Sequence, residues 1–517
     1  MLRLKSYLAG TWKDGEGEGA TLLDPSTEEA VATTSTKGLD FAEAFAHART
    51  VGGPALRAMT FAERGAVIKA MSKALYEARE ALIDDSILNA GTTRGDAKFD
   101  IDGATATLAY YASLGKKLGD TKVLVEGEGE QLTQSARFYG YHAKLPRPGV
   151  AVHVNAFNFP AWGLAEKAAV ALLAGMPVIS KPATATALTA YRMMEVLAEA
   201  KVLPEGALQL VCGSAGDLLS HLGPQDVLAF TGSADTGAHL RGLQNVIGRS
   251  VRVNVEADSL NAAVLGPDVE PGTETWNRFI RDVSTEVTQK TGQKCTATRR
   301  VFVPKAKIDQ VQEALAEAMG RIVWGDPRAE GVRMGPLASK QQLDDVKAGV
   351  AKLLEGGAKQ VWQSDASPVG AKGGKGFFFP PTLLRADDPR AAAVVHEHEV
   401  FGPVTTLMPY EGNEEPGELV ALGQGGLVAS LYSDDREVVA NMLVALAPWS
   451  GRVLVASKKV ADQATAPGLV LPSCIHGGPG RAGGGEELGG MRGLDFYLQR
   501  TAVQGDRGLL ERALGMR

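Results

Sequence analysis

Cysteine is scarce in this chain of 517 residues: Cys212, Cys295 and Cys474 are the only three, odd in number and far apart. That spacing excludes a disulfide framework and fits a reducing compartment. No C-x-x-C pair is present to suggest zinc, and no metal centre is expected. Long apolar runs are missing too. The longest, Ala168 to Ile179, is broken by Gly175 and Pro177 and is short for a bilayer span. The opening residues reach Lys13 before any apolar core of secretory length develops, so no signal peptide is read and a cytoplasmic location is expected. Basic excess is absent as well. With 54 Lys and Arg against 60 Asp and Glu, the net charge of −6 offers no general surface for nucleic acid or anionic membrane.

What remains is an ordinary packing composition, 44% apolar, over a length that suggests about three structural units. Thr60 to Glu63 has capping-box spacing, and Val67, Met71 and Leu75 recur behind it every four residues, which predicts an amphipathic helix. Another helical tract continues through Tyr110. Residues 131–149 alternate like strand. From Val150 the rhythm becomes strand, helix, strand: strands at Val150–Val154, Val178–Ser180, Leu208–Cys212 and Val227–Phe230, helices at Ala161–Ala174, Thr186–Ala200, Ala215–Leu222 and Ser233–Leu243. Such alternation predicts a parallel sheet whose ligands sit beyond the carboxyl ends of its strands. A strand ending at Glu256 closes this series. A second αβ series then runs through Glu274–Lys290, Arg300–Val303, Ile308–Ile322, Val428–Tyr432 and Val453–Ala456. The tail from Gly493 reads as an exposed extended strand, a natural partner for a second subunit.

Several stretches carry chemistry. Cys295, between a helical and a strand-like segment, has a nucleophile's setting, and the nearby Lys294, Arg299 and Arg300 are expected to lower its pKa. Its alternative is an inert buried thiol. Glu256, at a strand end, suits a general base or a solvated acid. Asn155-Ala-Phe-Asn158 follows a strand with two amides, neutral donors for an oxyanion or simple turn formers. Lys181, after the next strand, suits a nucleotide's ribose or phosphate. Thr231-Gly232-Ser233 through Gly237 lets backbone amides approach a pyrophosphate. The G-x-G-x-x-G match at Gly478–Gly483 lies in the glycine-rich run His476–Gly490 without strand-to-helix context and reads as an adaptable loop, whose amides and Arg481 border an anionic ligand. His396-Glu-His-Glu399 lacks the H-E-x-x-H spacing of a metal site.

Taken in order, Asn-Phe-Pro, Ser-Lys-Pro, Phe-Thr-Gly-Ser, the strand-end glutamate, Gly-Gln-Lys-Cys and Glu-Val-Phe-Gly-Pro-Val resemble the aldehyde dehydrogenase superfamily over nearly the whole chain. The resemblance implies an α/β fold. Its Rossmann-like cofactor domain would span 1–130 and 148–256, its catalytic domain 257–475, and its β oligomerisation arm 131–147 and 486–517, giving a homodimer. It implies Cys295 as nucleophile, Glu256 as general base, and Asn158 with the Cys295 amide as oxyanion hole. Lys181 and Glu399 would hold the two riboses, Gly232 and Ser233 the pyrophosphate, and Phe401 the nicotinamide side. Thr184 stands where many NAD-using relatives carry a glutamate that repels a 2′-phosphate, so NADP is expected, with NAD possible. The Ala257-Asp-Ser-Leu-Asn261 stretch, the long interval from Glu256 to Cys295 and the His476–Glu487 run look like a subgroup acting on CoA-linked semialdehydes from aerobic benzoate and phenylacetate breakdown. The absence of an added C-terminal hydratase domain favours the benzoate branch. A CoA-acylating dehydrogenase and a non-catalytic scaffold are the rival readings, the first opposed by Glu256 and the second by the intact site.

Overall fold

The computed structural model describes residues 1–412 and 415–516. Five sheets form among them, two of them seven-stranded, and the first of these two is the predicted parallel one. Its strands lie in the order Arg252–Glu256, Val227–Thr231, Ala151–Val154, Val178–Lys181, Leu208–Leu210, Ser6–Leu8 and Thr11–Lys13, the last two joining antiparallel. From Ala151–Val154 the chain steps one way to 178–181 and 208–210, then returns to the other side for 227–231 and 252–256. Loops leaving neighbouring strands at that reversal diverge, which opens a crevice at their carboxyl ends.

The helix Pro160–Ala174 lies directly behind the crevice. Proline opens it, where a missing N–H costs nothing, and Gly175 closes it in the left-handed region. Every residue of it is buried, Glu166 and Lys167 included. The expected capping box is present on the helix Phe61–Glu77, where Thr60 and Glu63 satisfy each other's backbone amides. That helix buries Ile68, Met71 and Leu75, with Val67 half-exposed.

The second sheet has the order Lys359–Gln363, Thr382–Arg385, Val404–Tyr410, Arg300–Pro304, Ala262–Leu265, Gly426–Tyr432 and Ser450–Ala456, parallel except for its first edge strand. The strand Arg252–Glu256 ends the first sheet, and Ala262–Leu265 already belongs to the second. Phe302, Val264 and Leu431 fill one side of this sheet, and Phe279, Val301 and Leu407 the other. Among the described residues no helix is long and apolar enough to cross a membrane.

Four expectations need correction. The antiparallel third sheet, Leu498–Asp506, Phe138–Pro146 and Leu124–Gln131, begins at Leu124 and not at 131. Its tail side starts only at Leu498, because Met491–Tyr497 is helical and buries Leu494 and Tyr497 against the Pro160–Ala174 helix. Residues Glu486–Leu488, assigned to the arm, instead pair with Ile475–Gly477 beside the crevice. Position 517, the last of the expected arm, lies outside the described residues. The helix expected at 215–222 is one short turn, Leu218–His221, since Gly213 and Gly216 take positive φ and Pro224 follows.

Candidate active site

Cys295 sits on a loop held in a costly conformation. After the helix Glu274–Thr288, the residues Lys290, Thr291 and Gly292 are all left-handed, with φ of 52°, 58° and 67°. For the two non-glycines this costs about 1–3 kcal/mol each. Gly292 has no alternative, because a Cβ there would overlap the Gly402 carbonyl. The buried Arg299 guanidinium offsets that strain. It donates to the carbonyls of Gly402 and Gly292 at 2.9 Å and of Lys294 at 3.3 Å, and pairs with Glu399 at 3.1 Å. Asn261 Nδ2 donates to the Cys295 and Ala297 carbonyls at 2.8 and 2.9 Å. Hydrogen bonds to a charged group contribute about 1.5–3 kcal/mol each, so this clamp outweighs the strain it fixes.

The expected cationic activation of the thiol is absent. Lys294 is turned away into a fully buried pair with Glu286 at 2.7 Å. Arg299 is spent on Glu399 and three carbonyls, while Arg300 serves the Leu260, Leu419 and Val420 carbonyls and His396. Burial, and then the Glu256 carboxylate, push the Cys295 thiol well above its ordinary pKa. At rest the sulfur carries its proton.

Glu256 ends its strand inside the protein, 2% exposed. Its Oε2 lies 3.1 Å from Nε2 of His476, and that same nitrogen is 3.9 Å from the Cys295 sulfur. Burial raises the Glu256 carboxyl, but the His476 imidazolium, Lys167 and the thiol outweigh it and hold it down to about 2. His476 is raised in turn: burial opposes its charge and Glu256 overcomes that. Behind them, Lys167 pairs with Glu166 at 3.0 Å and with Glu487 at 3.2 Å. Acceptor atoms of Glu166, Glu256 and Glu487 come within 4.8 Å of one another. Burial raises Glu487 to about 7 despite Lys167. Like charges this close cannot all ionise cheaply in a low dielectric.

Asn158 is buried, and among the described residues its side-chain amide has no hydrogen-bond partner within the chain. It lines both cavities that meet at Cys295. The inner chamber is walled by Phe99, Phe159, Trp162 and Val470 and floored by Glu256, Lys167 and His476. The outer cleft, about 720 Å³, runs past Gly232, Ser233, Glu399 and Phe401. Asn155, the other amide of its loop, is tied to Ser180 at 3.1 Å.

Of the expected cofactor residues, Lys181 and Thr184 stand outside the lining of this cleft, with Ala183 between them reaching it. Thr184 gives its hydroxyl to the Gly213 carbonyl at 2.9 Å. Lys181 is half-buried, its pKa lowered by that burial, and among the described residues it has no carboxylate partner. Ser233 is the N-cap of the helix Ala234–Arg241, accepting from the Thr236 amide at 3.3 Å. Asp258 accepts from the Ala234 amide of that first turn at 2.9 Å, so a carboxylate occupies ground that an anionic ligand would need. Phe401 covers the Arg299 guanidinium, 5.2 Å from its centroid, and meets Phe157 edge-on.

Sequence reasoning missed His476, Glu166, Lys167, Glu487, Asn261 and Asp258. The adjacent Glu166 and Lys167 inside an otherwise apolar helix were a readable signal, since buried charges come paired. His476 was hidden in a glycine-rich run read as an adaptable loop, whereas Ile475–Gly477 and Glu486–Leu488 form a hairpin against the site. Arg481, expected near an anion, instead donates to the His396 and Glu397 carbonyls. His396 accepts from Arg300 and donates to the Pro389 carbonyl, which leaves no ring nitrogen for a metal.

A parallel-sheet crevice with a thiol, a carboxylate and a free amide at its inner end defines a class. The chain matches the aldehyde dehydrogenase family over residues 12–503 and belongs to it, the NAD(P)-dependent oxidoreductases of aldehydes. Among its relatives, the 3,4-dehydroadipyl-CoA semialdehyde dehydrogenase of Aromatoleum evansii is 46% identical over 480 residues, 92% of this chain and 93% of that one. The non-phosphorylating aspartate-semialdehyde dehydrogenase of Halomonas elongata is 28% identical over 505 residues, 96% and 95% of the two chains. The betaine aldehyde dehydrogenase of Staphylococcus aureus, solved with NAD+, shares the fold with a TM-score of 0.84 at 22% identity, covering 98% of each chain.

Two measurements probe this electrostatic layout. Burial and Asp258 raise Glu399 from 4.5 to about 7 against the pull of Arg299. The folded state therefore holds a proton that the unfolded state has lost, and stability falls as pH rises between 4.5 and 7. Glu399→Gln is expected to shrink that fall by on the order of 2–3 kcal/mol, read from the pH dependence of unfolding. Asp258→Asn is expected to lower the cofactor's Kd by about 2- to 10-fold in a fluorescence titration, by clearing the helix N-terminus of a competing charge.

Proposed function

We propose that this enzyme oxidises a CoA-linked semialdehyde to its carboxylate with NADP, and that Cys295, Glu256 and Asn158 perform the chemistry. The observation that carries the mechanism is the meeting of those three side chains at the junction of the two cavities. Cys295, once deprotonated, adds to the aldehyde carbon, and the oxygen's developing charge falls to the free Asn158 amide and the Cys295 backbone N–H. Held along the outer cleft by Gly232, Ser233, Glu399 and Phe401, a nicotinamide dinucleotide would supply the two-electron acceptor for oxidising the cysteine-bound adduct. Glu256 lies where it assists water in attacking that thioester. The aromatic walls of the inner chamber suit an aliphatic chain and hold water away from all but its end.

Cofactor fit rests on Gly232, Ser233, Glu399 and Phe401 along the cleft and on Lys181 beyond its rim. With no carboxylate partner of its own among the described residues, and with Thr184 in place of an acid, Lys181 suits a 2′-phosphate. The substrate class follows the Aromatoleum relative, whose name specifies 3,4-dehydroadipyl-CoA semialdehyde. This would place the enzyme in the aerobic breakdown of benzoate. The third sheet, with both edge strands open among the described residues, would form the dimer contact, and the protein would work in the cytoplasm.

Asn158→Ala is expected to lower kcat at least about 100-fold while cofactor binding persists; turnover near wild type would remove Asn158 from the oxyanion hole. Steady-state assays with NADP and NAD, each against a CoA-linked semialdehyde and its free-acid analogue, are expected to favour NADP and the CoA-linked substrate in kcat/KM. Equal efficiency on the free acid would remove the CoA assignment, and dependence on free CoA would make the enzyme acylating.

A further inference from the structure

Glu256 alone is an awkward base for this site. Beside a charged His476 and Lys167 its carboxylate is held low, whereas the thiol is pushed far the other way, and Nε2 of His476 takes up a proton only after the pair has released one. A proton moving directly from sulfur to that carboxylate runs uphill, from a group held protonated to one held ionised. The geometry supplies another resting place. Nε2 of His476 is 3.1 Å from Glu256 Oε2 and 3.9 Å from Cys295 Sγ, and the ring is buried at the floor of the inner chamber.

We propose that His476 and Glu256 form one proton-accepting unit in which Nε2 of His476 carries the proton taken from the Cys295 thiol and, later, from the attacking water. The proposal rests on the reading of Cys295 as nucleophile. In the first step the S–H bond breaks, the proton goes to the pair, and the thiolate's electron pair forms the S–C bond to the carbonyl carbon. The former aldehyde C–H bond then breaks, its hydrogen leaves with both electrons as hydride to the dinucleotide acceptor of the established activity, the thioester forms, and the pair returns its proton to solvent. In the second step a water O–H bond breaks, its proton goes to the pair, the new O–C bond forms, and the C–S bond breaks to release the acid. The acid leaves ionised and the sulfur regains one proton, so a turnover releases two protons in all.

The remaining charges that face His476 set its behaviour. Glu256 comes from the strand Arg252–Glu256, Glu166 and Lys167 from the helix Pro160–Ala174, Glu487 from its own hairpin and Arg452 from the strand Ser450–Ala456, with Cys295 opposite. Glu256 dominates and favours the imidazolium, while Arg452 opposes it. Two groups coupled this closely titrate as a unit, and the value that governs thiol ionisation belongs to the pair. Since the paired imidazole is raised above 6.5, that value lies on the alkaline side of an ordinary histidine.

Alkylation of Cys295 by iodoacetamide tests this without aldehyde or cofactor. It is followed by mass spectrometry of the Cys295 peptide in a Cys474→Ser background, which removes the exposed competitor. The unsubstituted site is expected to show a rate that rises through an inflection above pH 6.5. His476→Gln is expected to lose the inflection and react at least about tenfold more slowly near pH 8, because the thiol then ionises at its own raised pKa. Glu256→Gln, with His476 intact, is expected to move the inflection downward, because burial alone lowers the imidazole. An unchanged profile in His476→Gln overturns the proposal. Should that variant fail to fold, the Glu256→Gln profile decides, and an inflection left in place there overturns the proposal equally. Failure to oxidise any aldehyde, with the inflection behaving as described, would refute only the substrate reading.

Discussion

A single buried negative charge, on Glu256, is the constraint to which the site is fitted. An isolated carboxylate in a low-dielectric interior neutralises itself, and this one stays ionised because His476 touches it and Lys167 stands behind it. Lys167 is in turn balanced by Glu166 and Glu487. The arrangement explains why a helix otherwise made of apolar residues carries two adjacent charges, and why a glycine-rich segment folds back as a hairpin beside the first sheet. Gly483 and Gly485 allow that approach, since a Cβ at either would meet the Val255 carbonyl.

The thiol is placed by a second, independent device. Arg299 and Asn261 gather the carbonyls of residues 292–297 and hold a strained turn that no regular element would impose. Glu286 performs a related task one layer deeper, accepting from Lys294 and from the Gly468 amide, so the loop that walls the inner chamber is tied to the loop that bears Cys295. The cations closest to Cys295 in sequence are therefore scaffold, and the group that faces its sulfur comes from far along the chain, at position 476.

Much of the framework is legible in the sequence. Apolar runs of four or five residues, punctuated by Gly175 and Pro177, announce buried parallel strands because both faces of such strands are covered. Capping at Thr60 and the glycine closing the helix at Ala174 marked real element ends. Where the reading failed, long-range packing had overruled local pattern. The Met491–Tyr497 segment is strand-like by composition but helical because Leu494 and Tyr497 find a buried surface on a helix more than three hundred positions earlier. Periodicity cannot report such a partner.

The order of short words along the chain was enough to fix the family, the parallel αβ architecture and the identity of the nucleophile candidate, since these depend on local hydrophobic rhythm and on residues whose chemistry is their own. Protonation was decided by the tertiary structure alone. Whether a thiol is raised or lowered, and whether a carboxylate is a base or a counterion, depends on charges a few ångströms away through space. Those neighbours, His476, Lys167 and Glu487, are brought together by folding from positions that spacing along the chain does not relate.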